Sequence, residues 1–169
     1  DGYGVDISEP SIKVCQKKLH KKKFKIIDFD ADQNDNFFNK KFDLIISIQT
    51  LYYLDNHDLN VRLLSLKKML KPNGLVFFSL MSKQHYYYKY YKEKTYKNGM
   101  SIINLNKDGS FKKRQKKKIY KHYINITKSE KHLVDRMSMF KKLSLGFYDY
   151  SVGDSKYQAY HYTFLGQNF

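Results

Sequence analysis

The sequence predicts an α/β protein built on a doubly wound, mostly parallel sheet. Two apolar runs carry that reading, FDLIISI (42–48) and LVFFSL (75–80). Such near-continuous runs suit strands buried on both faces of a parallel sheet. Between them, Leu59, Leu63, Leu66 and Leu70 recur at helical spacing and give a buried stripe over residues 58–71. Strand, helix, strand, loop, strand, helix, strand is the alternation of a doubly wound fold. At 169 residues, 41% of them apolar, the chain fits one domain with a real core.

The chain opens with a short strand over residues 3–6 that ends on Asp6. Ser8 is placed to cap a helix, with Glu9 and Pro10 in its first turn, where an acid and a proline are favoured. Ile12, Cys15 and Leu19 share one face of that helix. Lysines in KKLHKKK suit its C-terminal end. Residues 24–29 (FKIIDF) predict the next strand, and a loop rich in Asp and Asn follows. After the leucine helix, Lys71-Pro72-Asn73-Gly74 is a stop signal before LVFFSL.

Residues 83–126 break the rhythm with a tyrosine cluster, two strand-like segments (SIINLN and IYKHYINI), an Asp108-Gly109 turn and the run KKRQKKK. They are expected to form an insertion whose apolar residues cover the sheet, or a lid over a ligand. Thr127 and Glu130 then have capping-box spacing. Leu133, Val134, Met137 and Phe140 form the next helical stripe. Strands around 143–151 and 158–166 close the chain as an antiparallel hairpin across VGDSK. The whole reads as a single domain, residues 1–169.

The formal net charge is +16, almost all of the basic excess being lysine, with arginine only at positions 62, 114 and 136. Charge of that size invites a nucleic-acid partner. Arginine is the better fork for phosphate, and the abundance of Lys, Asn, Tyr, Ile and Phe together matches AT-rich codons. A nucleic-acid partner is therefore the less favoured reading. No apolar run is long enough for a transmembrane helix, no membrane partner is expected, and the N-terminal residues do not read as a signal peptide. Cys15 is the only cysteine and agrees with a reducing cytoplasm. Histidines 57, 122, 132 and 161 have no metal-ligand spacing and read as surface residues, and no metal site is expected.

Three ordered segments, YGVDIS (3–8), FDLIISIQTLYYL (42–54) and LKKMLKPNGLVFFSL (66–80), together resemble the class I S-adenosylmethionine-dependent methyltransferase family. The closing YHYTFLGQ is similar to that family's antiparallel last strands. The resemblance covers about residues 1–82 and 127–169. It implies a Rossmann-like sheet, mostly parallel with an antiparallel C-terminal hairpin, and S-adenosylmethionine as cofactor. It also implies that the family's first strand and glycine-rich loop belong before Asp1. The chain is then a fragment, N-terminally truncated, whose activity alone is in doubt.

The resemblance assigns roles residue by residue. Asp6 would accept hydrogen bonds from the two ribose hydroxyls of the cofactor, which one ionised carboxylate can do. Ile7 would lie against the adenine. Asp30, followed by Ala31, would take the adenine amino group, with Asp28 and Asp32 as alternatives in register. Asp43 reads as structural. Ligands on open α/β sheets bind beyond the carboxyl ends of the strands, so Ser47, Ile48 and Gln49 would face the site, followed by Tyr52 and Tyr53. Tyr52 and Tyr53 read equally well as packing under the next helix.

The methyl group of the cofactor is already activated, so positioning and exclusion of water are the main demands. His85 would serve as the base if the acceptor must lose a proton. A small-molecule acceptor is the leading expectation. The alternatives are a nucleic-acid or protein methyltransferase anchored by the basic runs, and a non-catalytic remnant of the fold. IQTLYY stands where amino-group methyltransferases of bases carry N-P-P-Y or D-P-P-Y, which lowers the nucleic-acid reading.

Overall fold

A computed structural model describes residues 1–19, 21–28, 37–106, 119–150 and 158–169. Two compact units divide it, residues 1–40 and residues 41–169.

In the first unit, β1 (Gly4–Asp6) pairs in parallel with β2 (Phe24–Ile26), with Asp6 opposite Ile26. The crossover between them holds α1 (Glu9–Lys18). Ser8 caps it, its hydroxyl accepting from the Ser11 N–H at 3.3 Å. Ile12 is buried, whereas Leu19 is 65% exposed, contrary to the expected stripe. Its backbone is already extended and closes the helix through an N–H donated to the Cys15 carbonyl, so its side chain leaves the helical face.

The second unit is built on the four-stranded sheet β3–β4–β9–β8. β3 (Phe42–Ile48) lies parallel to β4 (Leu70–Met81). β9 (His161–Gln167) pairs antiparallel with both β4 and β8 (Lys141–Tyr148). The run LVFFSL is buried as expected, since β4 is bonded on both edges. FDLIISI is not. Leu44, Ile46 and Ile48 are exposed, because β3 is the edge strand of its sheet and that face carries no cover among the described residues. Lys71–Gly74 does not end the preceding helix as a separate turn. It lies within β4 as a bulge, where the register steps from Phe42↔Leu70 to Leu44↔Leu75. Asn73 takes the left-handed conformation there (φ 61°) and donates its N–H to the Asn168 carbonyl.

Helix α2 (Asn56–Met69) starts earlier than its leucine stripe suggests, because the Asp55 carboxylate caps it by accepting from the His57 and Asp58 N–H groups. Leu59, Leu63, Leu66 and Met69 are buried along it. Helix α4 (Glu130–Arg136) is capped by Ser129, not by Thr127. Thr127 is instead buried and bridged to Ser82 at the end of β4. Leu133, Met137 and Phe140 are buried, and Phe140 meets Phe78 edge-on with ring centroids 5.9 Å apart.

Alternation along β4 puts Phe78 and Met81 on opposite faces. Met81 packs with Tyr52, Ile103, Ile124 and Ile126. These isoleucines come from the insertion, which holds α3 (Tyr86–Tyr91) and an antiparallel sheet of β5 (Lys92–Thr95), β6 (Met100–Asn106) and β7 (Ile119–Asn125). Asp108, Gly109, KKRQKKK and VGDSK lie outside the described residues.

A polar hub anchors the insertion. Asn125 is fully buried; its amide donates to the Leu54 carbonyl (3.0 Å) and to Asn56 Oδ1 (3.1 Å). Its Oδ1 accepts from Arg136 Nη2 at 2.5 Å. Arg136 Nη2 also reaches Asn56 Oδ1. Burial lowers the pKa of this guanidinium to about 10. Replacing Asn125 by leucine removes both functions at once and strands a partly buried cation. Asn125→Leu is expected to destabilise the chain by roughly 3 kcal/mol, read as a fall in the urea midpoint at unchanged m-value.

Candidate functional site

β3 and β4 end together because they run parallel, and β8, antiparallel to β9, ends at the same edge. Three side chains tie these ends. Gln49 follows β3 with φ 56°, a left-handed conformation costly for a side chain of its kind. Its N–H donates to Ser79 Oγ at 3.0 Å, and its side-chain amide donates to the Tyr148 hydroxyl at 3.0 Å. The Tyr148 hydroxyl in turn lies 3.3 Å from Ser79 Oγ. Strain at Gln49 is thus held by β4 and β8.

His161 opens β9 beside Tyr148 and Met81 and is 1% exposed. Its Nδ1 sits 3.1 Å from the Ala159 carbonyl. A carbonyl only accepts, so the contact assigns the ring hydrogen to Nδ1. Nε2 then carries a lone pair, buried and without a hydrogen-bond partner. Tyr148 stacks on this ring at 5.0 Å and 9°, and Tyr150 at 6.0 Å and 8°. His85 meets it edge-on at 5.1 Å, and Tyr52 lies 6.2 Å away.

His85 has the complementary tautomer. Its Nδ1 accepts from the Tyr87 N–H at 3.1 Å, which leaves the hydrogen on Nε2. Burial, helped by the neighbouring His161, lowers its pKa to about 3. Burial also lowers that of His161 and raises that of the Tyr52 hydroxyl. Both imidazoles are therefore neutral at physiological pH.

The sequence-predicted residues distribute unevenly over these positions. Gln49, Tyr53 and His85 stand in or beside the cluster, with Tyr53 against Tyr52 at 4.7 Å and half exposed. His85 is not the open base the sequence suggests: its ring is buried and its Nδ1 lone pair is occupied. Ser47 is in register with Phe78, on the sheet face opposite Ser79. Asp43 pairs with Lys71 at 2.8 Å at the far end of β3, and that lysine lowers its pKa. In the first unit, Asp6 ends β1 with Oδ1 accepting from the Ser8 N–H at 2.7 Å, and Ile7 is 65% exposed beside it. Asp30 and Ala31 lie outside the described residues. His161 contradicts its reading as a surface histidine. It and Tyr148 escaped notice because both sit on hairpin strands whose pairing alone brings them to Gln49. The signal available was their strand-end position, in YDY and YHY. No group of metal-ligating side chains occurs among the described residues.

Residues 1–78 match the family described as "Methyltransferase domain". No curated protein sequence matches significantly. Among solved structures, an S-adenosylmethionine-dependent methyltransferase from Methanosarcina mazei superposes with a TM-score of 0.69 at 13% identity, covering 99% of this chain and 81% of that one. One from Clostridium acetobutylicum gives 0.63 at 18%, covering 98% and 74%. The N-methyltransferase NodS from Bradyrhizobium japonicum, bound to S-adenosylhomocysteine, gives 0.56 at 15%, covering 97% and 64%. The chain has the fold of these S-adenosylmethionine-dependent methyltransferases, and its first 78 residues match the methyltransferase-domain family. Together these likenesses support a methyltransferase with S-adenosylmethionine as its cofactor. No helix among the described residues is long and apolar enough to cross a membrane.

The neutral, buried histidines set a pH dependence. A histidine with its folded pKa held below its unfolded value binds more protons when unfolded, between those two values. Stability is full above about 6.5 and falls as pH drops toward 3. His85→Phe is expected to flatten that fall by close to one proton's slope, measured as the urea midpoint against pH.

Proposed function

We propose that the chain transfers a methyl group from S-adenosylmethionine to an uncharged small-molecule acceptor. The observation that carries the acceptor class is the cluster at the sheet's carboxyl end. Gln49, Tyr52, Tyr53, Ser79, Tyr148, Tyr150, His85 and the Nδ1–H tautomer of His161 carry no formal charge. A nucleic-acid acceptor would need lysine or arginine aimed at phosphates, and among the described residues none belongs to this cluster. NodS, by its name an N-methyltransferase, supports a small acceptor by analogy.

Two features of the first unit support the cofactor reading. Asp6 presents a solvent-facing carboxylate at a strand's carboxyl end, with one oxygen engaged by Ser8. Such a carboxylate accepts from a ribose diol. Exposed Ile7 offers an apolar surface to the adenine. Asp30 and Ala31 are proposed for the adenine amino group on the resemblance alone. In the second unit, Gln49 and Ser47 are proposed for the methionine portion.

When bound, the cofactor supplies a sulfonium methyl already activated toward attack. The chain's own contribution is placement. The hydroxyls of Tyr53 and Tyr148 orient the acceptor, while His85 and Tyr52 exclude water. His85 donates through Nε2–H and takes no proton. Calorimetry with S-adenosylhomocysteine tests the cofactor assignment. Asp6→Ala is expected to weaken binding at least about tenfold, the worth of a charge-assisted hydrogen bond; equal affinity in both proteins contradicts it.

A further inference from the structure

The mechanism above leaves a buried polar atom beside its cluster unused. His161 Nε2 has no solvent contact and no partner, although its ring is held on every side. The Ala159 carbonyl fixes its tautomer, Tyr148 fixes its plane, and His85 blocks its edge. An unpaired acceptor in such a place costs about 1–3 kcal/mol. That cost is recovered whenever a donor reaches the atom. We infer that His161 is the specificity-determining residue of the acceptor site, its Nε2 accepting a hydrogen bond from an O–H or N–H of a neutral acceptor.

This inference rests on the acceptor class proposed above and narrows it. The bound molecule carries an O–H or N–H donor, and its frame is apolar or aromatic, to suit the rings of Tyr52, Tyr148 and Tyr150. Anionic frames such as carboxylates do not suit it, since a lone pair repels them and no cation stands in the cluster among the described residues. Tyr150 is the most exposed ring stacked on His161, at 44%. His161 also lines an open cavity with Ser82, Gln84, Glu130, Phe147 and Tyr160, which offers an acceptor its approach. His85 keeps its hydrogen on Nε2 and so does not compete for the acceptor's donor. The proximity of two neutral histidines with opposite tautomers gives the site one donor and one acceptor, fixed in advance by the backbone.

Phenol and anisole are the probes, alike in shape and differing in the O–H. They are titrated into the full chain while the imidazole nitrogens are followed by NMR. Phenol is expected to move the His161 Nε2 resonance and to bind about tenfold more tightly than anisole. In His161→Phe that preference disappears, and in His161→Gln, whose amide oxygen can accept, part of it returns. Equal binding of the two probes to the unmodified chain, binding of neither, or a preference surviving in His161→Phe overturns the inference. The unmodified chain alone decides it should the variants fail to fold. S-adenosylhomocysteine calorimetry on the same samples separates the two readings. Phenol preference without cofactor binding refutes the methyltransferase assignment and leaves His161 standing; the reverse result refutes His161 alone.

Discussion

The second unit depends on β4 being hydrogen-bonded along both edges. Its backbone satisfies β3 on one side and β9 on the other, and residues 78–82 are fully buried between the two faces. A strand in that position has no water to fall back on for its amides, so its neighbours must hold register or leave polar groups orphaned. Everything near the candidate site takes its place from that register. Ser79 meets Gln49 because β3 is parallel to β4, and His161 meets Met81 because β9 is antiparallel.

The insertion extends this dependence. Its isoleucines complete the face of β4 that Met81 begins, while Asn125 and Arg136 connect it to α2 and α4 through hydrogen bonds. Apolar contact supplies most of the attraction, and the buried amide determines where the insertion sits. Tyr86 and Tyr87 of α3 are thereby brought against His85. An aromatic wall with neutral imidazoles arises from packing.

Much of this arrangement is legible in the residues themselves. Periodicity marks β3, α2 and β4, and order and spacing carry the resemblance to the family. Turn chemistry is less faithful. Lys71-Pro72-Asn73-Gly74 reads as a stop, yet a bulge and the Asn168 backbone absorb it into β4. Thr127 has cap spacing, yet Ser129 is better placed and Thr127 is drawn into the core. Exposure of Leu44, Ile46 and Ile48 was illegible because an apolar run does not say which neighbours it has. The site divides the same way. Asp6 and Gln49 are found by their strand-end positions, whereas His161 and Tyr148 are recruited by hairpin pairing, a long-range property without local signature.

Amide hydrogen exchange tests the primacy of β4 most directly. The amides of Val76 to Leu80 and their β9 partners should exchange only by global unfolding, with protection free energies equal to the chain's stability. Those of β5, exposed along its length, should exchange through smaller openings. Protection of β4 no greater than that of β5 would contradict the account.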